Sequence, residues 1–503
     1  MLAKLRALSS ETLIYGVSTV MGRLLTFLLT PLYTNYVSPA ELGDTAYLYT
    51  LIAFVNVVYS CGFDSAFFKF FHTSSENKTN QNPHEYNRSV FVHSLFGIVL
   101  IAGAVTVLLL LFSSNVASIL RLSVVEVGGM LVMYSALIAF FDALTLIPYA
   151  ALRMEQRAKR FAMTKFAVIL LNVSANIVCV VWLQMGIRGI FLAGLLSAFA
   201  GVLLLVPEFV RYLLRSGIRL DGALFGELWR FGLPTVPAAF SAMMLQVIDR
   251  PIIKFFLGSS VLGIYQANYR LGIPMMMMVT VFEYAWKPFY LREYAAASKR
   301  TIKQRRAFHV LLAQVLTYFT AACCCVFLLS SLCMEYVVRL PFVGGRFVNP
   351  VYWSGLGLVP IVLGAYYFNG MFTHFAASVY IRKRTKYLPL ISGISALSNI
   401  ALNIALIPVL GIQGAAWATL GAYMVSAAGM FALTRRIYPV RYQWKSLAGL
   451  IVSALAIFFL AQSSTETLSL ETSFFVRCAW IAAYPLVVLA LGIVPSISRP
   501  TKR

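Results

Sequence analysis

The chain has 503 residues, of which 60 % are hydrophobic and only 12 % are charged, and its formal net charge is +23. About a quarter of the residues of a soluble domain are charged, so this composition excludes an ordinary soluble or secreted protein. Apolar runs close to the roughly 20 residues that cross a bilayer recur throughout, and because they are continuous rather than alternating, they predict helices instead of a β-barrel.

Fourteen membrane spans are predicted in chain order. The second begins at a capping box, Ser38 to Glu41, with Pro39 at the first helical position. The spans lie near residues 12–34, 44–63, 89–112, 124–148, 161–184, 187–207, 230–250, 260–284, 307–333, 352–378, 388–408, 412–433, 444–462 and 473–495. The sequence therefore predicts an all-α polytopic membrane protein with about 14 transmembrane helices.

The basic residues are distributed unevenly between the two sides of these spans. Of the 41 Lys and Arg residues, 32 fall in segments on the same side as the N-terminus and seven on the opposite side. The positive-inside rule places both termini in the cytoplasm. It also accounts for the net charge without nucleic acid as a partner, and we expect the basic loops to contact anionic lipid headgroups.

An internal repeat relates the two halves of the chain. Equivalent elements are six spans apart, and this even number keeps their orientation the same. The matched segments are Leu42-Gly43 with Leu262-Gly263, Asn172 and Asn176 with Asn399 and Asn403, and Gly186 to Gly189 with Gly411 to Gly414. The repeat predicts two parallel six-helix lobes, an N-lobe of residues 1–220 and a C-lobe of residues 221–440, followed by a helix pair in residues 441–503. Transporters built this way bind substrate between the lobes and alternate access.

The first span has one polar face. Arg23, Thr26, Thr30 and Tyr33 are three or four residues apart, which places them on the same side of a helix. An arginine inside a membrane helix is costly unless it faces water or a partner. We therefore predict that Arg23, Thr26 and Thr30 line a central substrate cavity, the alternative being that Arg23 is paired with a buried acid.

Further basic residues flank the seventh and eighth spans. The planar guanidinium group of arginine donates two hydrogen bonds to one phosphate. We predict that Asp249, Arg250, Lys254 and Arg270 also line the cavity and that their charge favours an anion. The alternative for the first three is an ion pair of Asp249 with Arg250 or Lys254 that stabilises a loop.

Four other charged residues are candidates for roles outside this cavity. Lys69 and Arg88 bracket a polar loop and are candidates for the cavity entrance, although such charges are usually solvated. Glu283 and Asp142 lie in spans and are candidates for carrying a coupling ion, H⁺ or Na⁺. The alternative for Glu283 is an ion pair with Lys287, one helical turn away. The cysteines and histidines show no metal-ligand spacing, so we expect no metal site and no cofactor.

The chain resembles the bacterial polysaccharide flippases of the Wzx type, members of the multidrug/oligosaccharidyl-lipid/polysaccharide superfamily. The resemblance covers nearly the whole chain, and Lys69 stands where the family often has Arg. It is carried by the segments Gly22 to Leu25, Pro31 to Thr34, Ser38 to Gly43, Gly62 to Phe70, Phe231 to Pro234, Asp249-Arg250, Leu257-Gly258 and Gly263 to Tyr265.

This resemblance implies a flippase that moves undecaprenyl-diphosphate-linked oligosaccharide, such as an O-antigen unit, from the cytoplasmic to the periplasmic leaflet. Its place would be the bacterial inner membrane, with the polysaccharide polymerase and the chain-length machinery as partners. A lipid II flippase has the same fold and is an open alternative. A multidrug exporter would prefer an acidic cavity, against which Arg23 argues. The outside loops are short, so we do not expect an enzyme.

Overall fold

A computed structural model of the chain describes residues 20–25, 27–71, 83–214, 221–298, 302–490 and 492. Among these residues, twelve helices are long and apolar enough to cross a membrane. They correspond to all the predicted spans except the first and the eighth. The all-α polytopic fold is therefore confirmed, and the chain is a multi-pass membrane protein.

The two remaining predicted spans are absent from these twelve for separate reasons. The first begins before the described residues, which show helical backbone at residues 20–25 and 27–28. The eighth is interrupted by a turn in which the Leu271 and Gly272 amides donate to the carbonyls of Asn268 and Tyr269. Regular membrane-spanning hydrogen bonding is lost at this turn, so residues 260–284 belong to two helices.

The chain divides into two compact units, Met1–Gln266 and Ala267–Arg503. The helices of unit 1 are α1 Thr30–Tyr36, α2 Pro39–Ser60, α3 Phe63–Phe70, α4 Pro83–Leu111, α5 Ser113–Ile119, α6 Gly128–Met154, α7 Ala158–Asn176, α8 Gly186–Leu204, α9 Val206–Leu213, α10 Gly222–Gly232, α11 Val236–Val247 and α12 Asp249–Arg270, the last of which ends in unit 2. A π-helical turn, Ile177–Trp182, extends α7, and 3₁₀ turns occur at Val125–Val127 and Leu233–Thr235. The lobe boundaries drawn from the repeat stay a prediction.

Local sequence signals explain where α2 begins and where α12 is kinked. The hydroxyl of Ser38 accepts from the Glu41 amide and the Glu41 carboxylate accepts from the Ser38 amide, so the predicted capping box is confirmed. Inside α12, Gly258 has φ of 84° and ψ of 175°. Glycine tolerates this conformation because it has no Cβ, and the helix direction changes there.

Unit 2 contains the remaining helices and a two-stranded hairpin. Its elements are α13 Ile273–Ser298, α14 Ile302–Arg339, β1 Pro341–Phe342, β2 Gly345–Arg346, a 3₁₀ helix Pro350–Leu358, α15 Val359–Ile381, α16 Tyr387–Leu410, α17 Ile412–Ile437, α18 Trp444–Thr465 and α19 Leu470–Ala490. Buried side chains such as Leu328, Leu450 and Tyr484 join α18 and α19 to α14. The last two helices therefore pack as a pair against one helix of this unit.

The repeated asparagines adopt the same local structure in both units. In α7, the Asn176 amide nitrogen donates to the backbone and side-chain oxygens of Asn172 at 2.8 and 3.2 Å. In α16, the Asn403 amide nitrogen donates to the same two groups of Asn399 at 2.8 and 2.5 Å. The pattern that identified the repeat in the sequence is thus a pattern of hydrogen bonds within each helix.

Candidate functional site

A buried carboxylate holds together three segments of unit 1. Asp44, in the second turn of α2, is 0 % exposed. Its Oδ2 accepts from the amide and the hydroxyl of Ser123, both at 2.6 Å. Its Oδ1 accepts from Lys254 Nζ at 2.5 Å and from the Ser259 hydroxyl at 2.6 Å. We call these four residues the Asp44 cluster; a buried charge is retained at low cost only when it is neutralised and hydrogen-bonded in this way.

The absence of side chains at two glycines brings the helices of this cluster together. A Cβ atom added to Gly43 would lie 1.8 Å from the Ser259 carbonyl oxygen, and one added to Gly263 would lie 1.9 Å from the Pro39 carbonyl oxygen. The backbones of α2 and α12 are therefore in direct contact, which brings the Ser259 hydroxyl within hydrogen-bonding distance of Asp44. Gly43 and Gly263 are the two glycines that the repeat matched, so equivalent positions of the repeat meet each other at this crossing.

Lys254 therefore has a different partner from the one considered in the sequence. Its side chain is only 8 % exposed and its charge is neutralised by Asp44, 210 positions away. Nζ also lies 4.5 Å from the centre of the Tyr47 ring. Lys254 and Asp249, both in the described part of the chain, form no ion pair, and Asp249 contacts Arg250 and Tyr265 instead.

Asp249 and Arg250 form the local pair that was the alternative to a cavity role. Arg250 Nη1 lies 3.2 Å from Asp249 Oδ1, and Arg250 Nε donates to Gln266 Oε1 at 3.0 Å. The Tyr265 hydroxyl donates to Asp249 Oδ2. Asp249 is 2 % exposed, so in this conformation its carboxylate is part of the protein interior.

The polar face predicted for the first span is largely packed inside unit 1. Thr30 and Tyr33 are 1 % and 6 % exposed, and the Tyr33 hydroxyl donates to Asn176 at 2.9 Å. At Tyr33 a protein partner thus takes the place of water, and the cavity role of Thr30 stays a prediction. Arg23 is half-buried, and Thr26 lies outside the described residues.

The remaining predicted site residues lie apart from the Asp44 cluster. Arg270 is half-buried at the end of α12, in unit 2. Lys69 is exposed and its Nζ lies 3.9 Å from the centre of the Phe231 ring. Arg88 Nε donates to the Tyr212 carbonyl at 2.8 Å, at the end of α9. Arg88 thus stabilises the carboxyl end of a helix, where unpaired carbonyls favour a cation.

The two candidates for ion coupling have different surroundings. Asp142 lies near the middle of α6 with an exposed side chain, and Lys165 of α7 is close enough to act on it electrostatically. Glu283 is exposed on α13 and lines a cavity of unit 2. Glu283 and Lys287, both in the described part of the chain, form no ion pair; Lys287 Nζ instead lies 4.8 Å from the centre of the Tyr380 ring.

Several charged residues that sequence reasoning missed form a second network in unit 1. Arg211 lies 2.7 Å from Glu155, whose other oxygen accepts from the Tyr212 hydroxyl at 2.5 Å. Burial and the bond to Glu155 raise the pKa of Tyr212. Arg157 lies 3.2 Å from Glu208, which is 2 % exposed. These contacts hold the loop between α6 and α7 against α9. In both segments an acidic and a basic residue lie two or three positions apart, which was the signal in the sequence that could have identified this network.

Comparison with known proteins gives a match to one family model and matches to solved structures. A family model described as polysaccharide biosynthesis protein matches residues 8–292. No curated protein matches the chain in sequence.

Solved structures share the fold at low sequence identity. The lipid II flippase MurJ in an inward closed conformation has a TM-score of 0.72 at 15 % identity, over 95 % of this chain and 98 % of its own. An inward-facing multidrug resistance MATE family transporter of the MOP superfamily has a TM-score of 0.68 at 14 % identity, over 82 % and 94 %. A MOP superfamily transporter from Pyrococcus furiosus has a TM-score of 0.58 at 14 % identity, over 85 % and 96 %.

Proposed function

The chain belongs to the polysaccharide biosynthesis protein family, and from this premise we propose that it is a flippase for undecaprenyl-diphosphate-linked oligosaccharide. The observation that carries the proposal is the family match, joined to a fold shared along nearly the whole chain with a flippase for another lipid-linked sugar. Family and structural neighbours are transporters or flippases. The substrate would move from the cytoplasmic to the periplasmic leaflet of the inner membrane, for use by a polymerase and its chain-length machinery.

The second candidate is the transport of lipid II. It is favoured by the similarity to MurJ, which covers more of this chain than the similarity to the MATE transporter. The two candidates differ in the sugar attached to the same kind of lipid diphosphate, so the fold alone does not separate them.

Complementation separates these candidates. One bacterial strain lacks its oligosaccharide-lipid flippase and is scored by surface polysaccharide; a second lacks its lipid II flippase and is scored by growth. We expect restored polysaccharide without restored growth. Arg23→Ala and Arg270→Ala are each expected to lose export at an unchanged protein level, because an arginine is the side chain best suited to a diphosphate. Growth rescue would contradict the first candidate, and normal export by both variants would contradict their role.

Transport by alternating access requires an end of the molecule that closes and opens. We propose that the Asp44 cluster is a closure of this kind. Its contacts are hydrogen bonds and one ion pair, all of which water can replace when the helices separate. The predicted topology puts Asp44, Ser123 and Lys254 at the periplasmic ends of their helices, an orientation that reporter fusions at Ser123 would check.

A coupling ion would need a carboxylate that exchanges protons or Na⁺ during the cycle, and we propose Asp142 for this role. An ionisable residue near the middle of a span is usually functional, and the neighbouring Lys165 supplies a charge that responds to its protonation. Asp142→Asn is expected to slow export severalfold and to make it insensitive to dissipation of the proton or sodium gradient. The measurement is export with and without selective ionophores, with Glu126→Gln, which removes an exposed acid, as the comparison. An unchanged ionophore response in Asp142→Asn would exclude the role.

A further inference from the structure

A partly open cavity lies within unit 2, between α13 and α15. Its volume is about 90 Å³, which is room for several water molecules. Glu283, Trp286, Lys287 and Tyr290 line it from α13. Their spacing of three, one and three residues places them on a single helix face. Thr373 and Tyr380 line it from α15.

The charges of the cavity favour a neutral ligand. It contains one carboxylate, on Glu283, and one ammonium group, on Lys287. These two residues, both described in the structure, form no ion pair with each other. An anion would be repelled by Glu283 and a cation by Lys287. A neutral molecule with several hydroxyl groups can donate to the carboxylate and accept from the ammonium group at the same time.

The aromatic residues supply the second observation. The Trp286 ring is stacked on the His374 ring with centroids 4.8 Å apart and an interplanar angle of 15°. Trp286 is 3 % exposed and lines the cavity, so this aromatic stack forms an apolar wall of the cavity.

The hydroxyl groups complete the set of polar partners. The Glu283 carboxylate is near enough to the Tyr290 and Tyr380 hydroxyls to act on both electrostatically. The Tyr380 ring is only half-buried, and Lys287 covers it at 4.8 Å. The cavity therefore combines apolar ring surface with convergent donors and acceptors, which is the composition of a small-molecule site.

We propose that this cavity binds one neutral sugar ring, and thus forms a carbohydrate subsite in unit 2. The identity of the sugar as part of the transported glycan rests on the proposed function; the binding of a sugar does not. Glu283 accepts from ring hydroxyls, Lys287 donates to them, and the aromatic side chains exclude water from the ring face.

The test is saturation-transfer NMR on the purified full-length chain with methyl glycosides of a neutral hexose, an N-acetylhexosamine and a deoxyhexose, and with inorganic phosphate as competitor. We expect saturation transfer to at least one sugar, unaffected by phosphate and reduced about fivefold or more in Glu283→Gln and Tyr380→Phe. Val281→Ala is the matched control, because Val281 lies on the same helix and is 51 % exposed outside the cavity. Melting curves of all variants identify any that fail to fold, and Glu283→Gln keeps the shape of the side chain.

The outcomes separate this inference from the proposed function. No transfer to any sugar, equal transfer in Glu283→Gln, or displacement by phosphate overturns the sugar subsite. Sugar binding by a wild-type chain that fails to restore surface polysaccharide supports the subsite and overturns the proposed function. If Glu283→Gln loses sugar binding but still exports normally, the result supports the sugar subsite and overturns its link to the transported glycan.

Discussion

Asp44→Asn is expected to remove most of the folded, export-competent protein from the membrane. The substitution leaves the Lys254 ammonium group, 8 % exposed, without a counter-charge. Breaking a buried ion pair by removing one partner costs about 3–5 kcal/mol, a large part of the roughly 5–15 kcal/mol that stabilises a typical protein. The measurements are protein level in the membrane, the melting temperature of the purified protein, and surface polysaccharide in the complementation strain.

The control is Glu126→Gln, which removes an exposed acid three residues from Ser123. We expect this variant to match the wild type, because an exposed charge contributes little to stability. Wild-type stability in Asp44→Asn would show that the Asp44–Lys254 contact contributes nothing to the fold.

The double variant Asp44→Asn/Lys254→Met separates a structural role of the pair from a role in closure. Replacing both charges with uncharged residues is often neutral or stabilising, so we expect the melting temperature to recover. Export is expected to stay low, because a closure that no longer has its ion pair does not re-form at the same point of the cycle. Recovery of export together with stability would mean that the pair only stabilises the fold.

Signals that are local in the sequence predicted the fold well. The hydropathy of a span and the Ser38–Glu41 capping box each depend on residues within one helix, and twelve helices and the box are found as predicted. The eighth span is the exception, since its apolar run continues across the turn at Leu271 and Gly272. Hydropathy reports burial in lipid and does not report where backbone hydrogen bonding is interrupted.

The candidate site was harder to predict because its partners are distant in the sequence. Asp249 and Arg250 are neighbours, and the sequence already offered their pairing as an alternative. Lys254 had no comparable clue, because its partner Asp44 is 210 positions away on another helix. Helical periodicity identifies which face of a helix is polar but not which other helix it meets. A carboxylate in the first turns of a predicted span was the signal that could have identified Asp44.

The repeat did contain information about this helix crossing. It matched Gly43 with Gly263, and the structure places these two glycines at one point of contact between α2 and α12. A Cβ at either position would overlap backbone of the other helix, so the crossing requires glycine at both positions.

Gly43→Ala is therefore expected to disrupt unit 1. The added Cβ would lie 1.8 Å from the Ser259 carbonyl oxygen, which is a backbone atom and cannot move aside as a flexible side chain can. Overpacking typically costs about 1–3 kcal/mol and more where the backbone must shift. Separation of α2 from α12 would also pull Ser259 away from Asp44. We expect a severalfold lower protein level and a lower melting temperature, and the same for Gly263→Ala, whose Cβ would lie 1.9 Å from the Pro39 carbonyl oxygen.

Gly103→Ala in α4 is the matched control, because a Cβ there meets no atom within 4 Å. Alanine is favoured over glycine by about 1 kcal/mol inside a helix, so this variant should be at least as stable as the wild type. If all three alanine variants behave alike, the direct contact between α2 and α12 does not hold unit 1 together. If only Gly43→Ala and Gly263→Ala lose stability, and Asp44→Asn loses it as well, then the close approach of the backbones and the buried ion pair depend on each other at a single helix crossing.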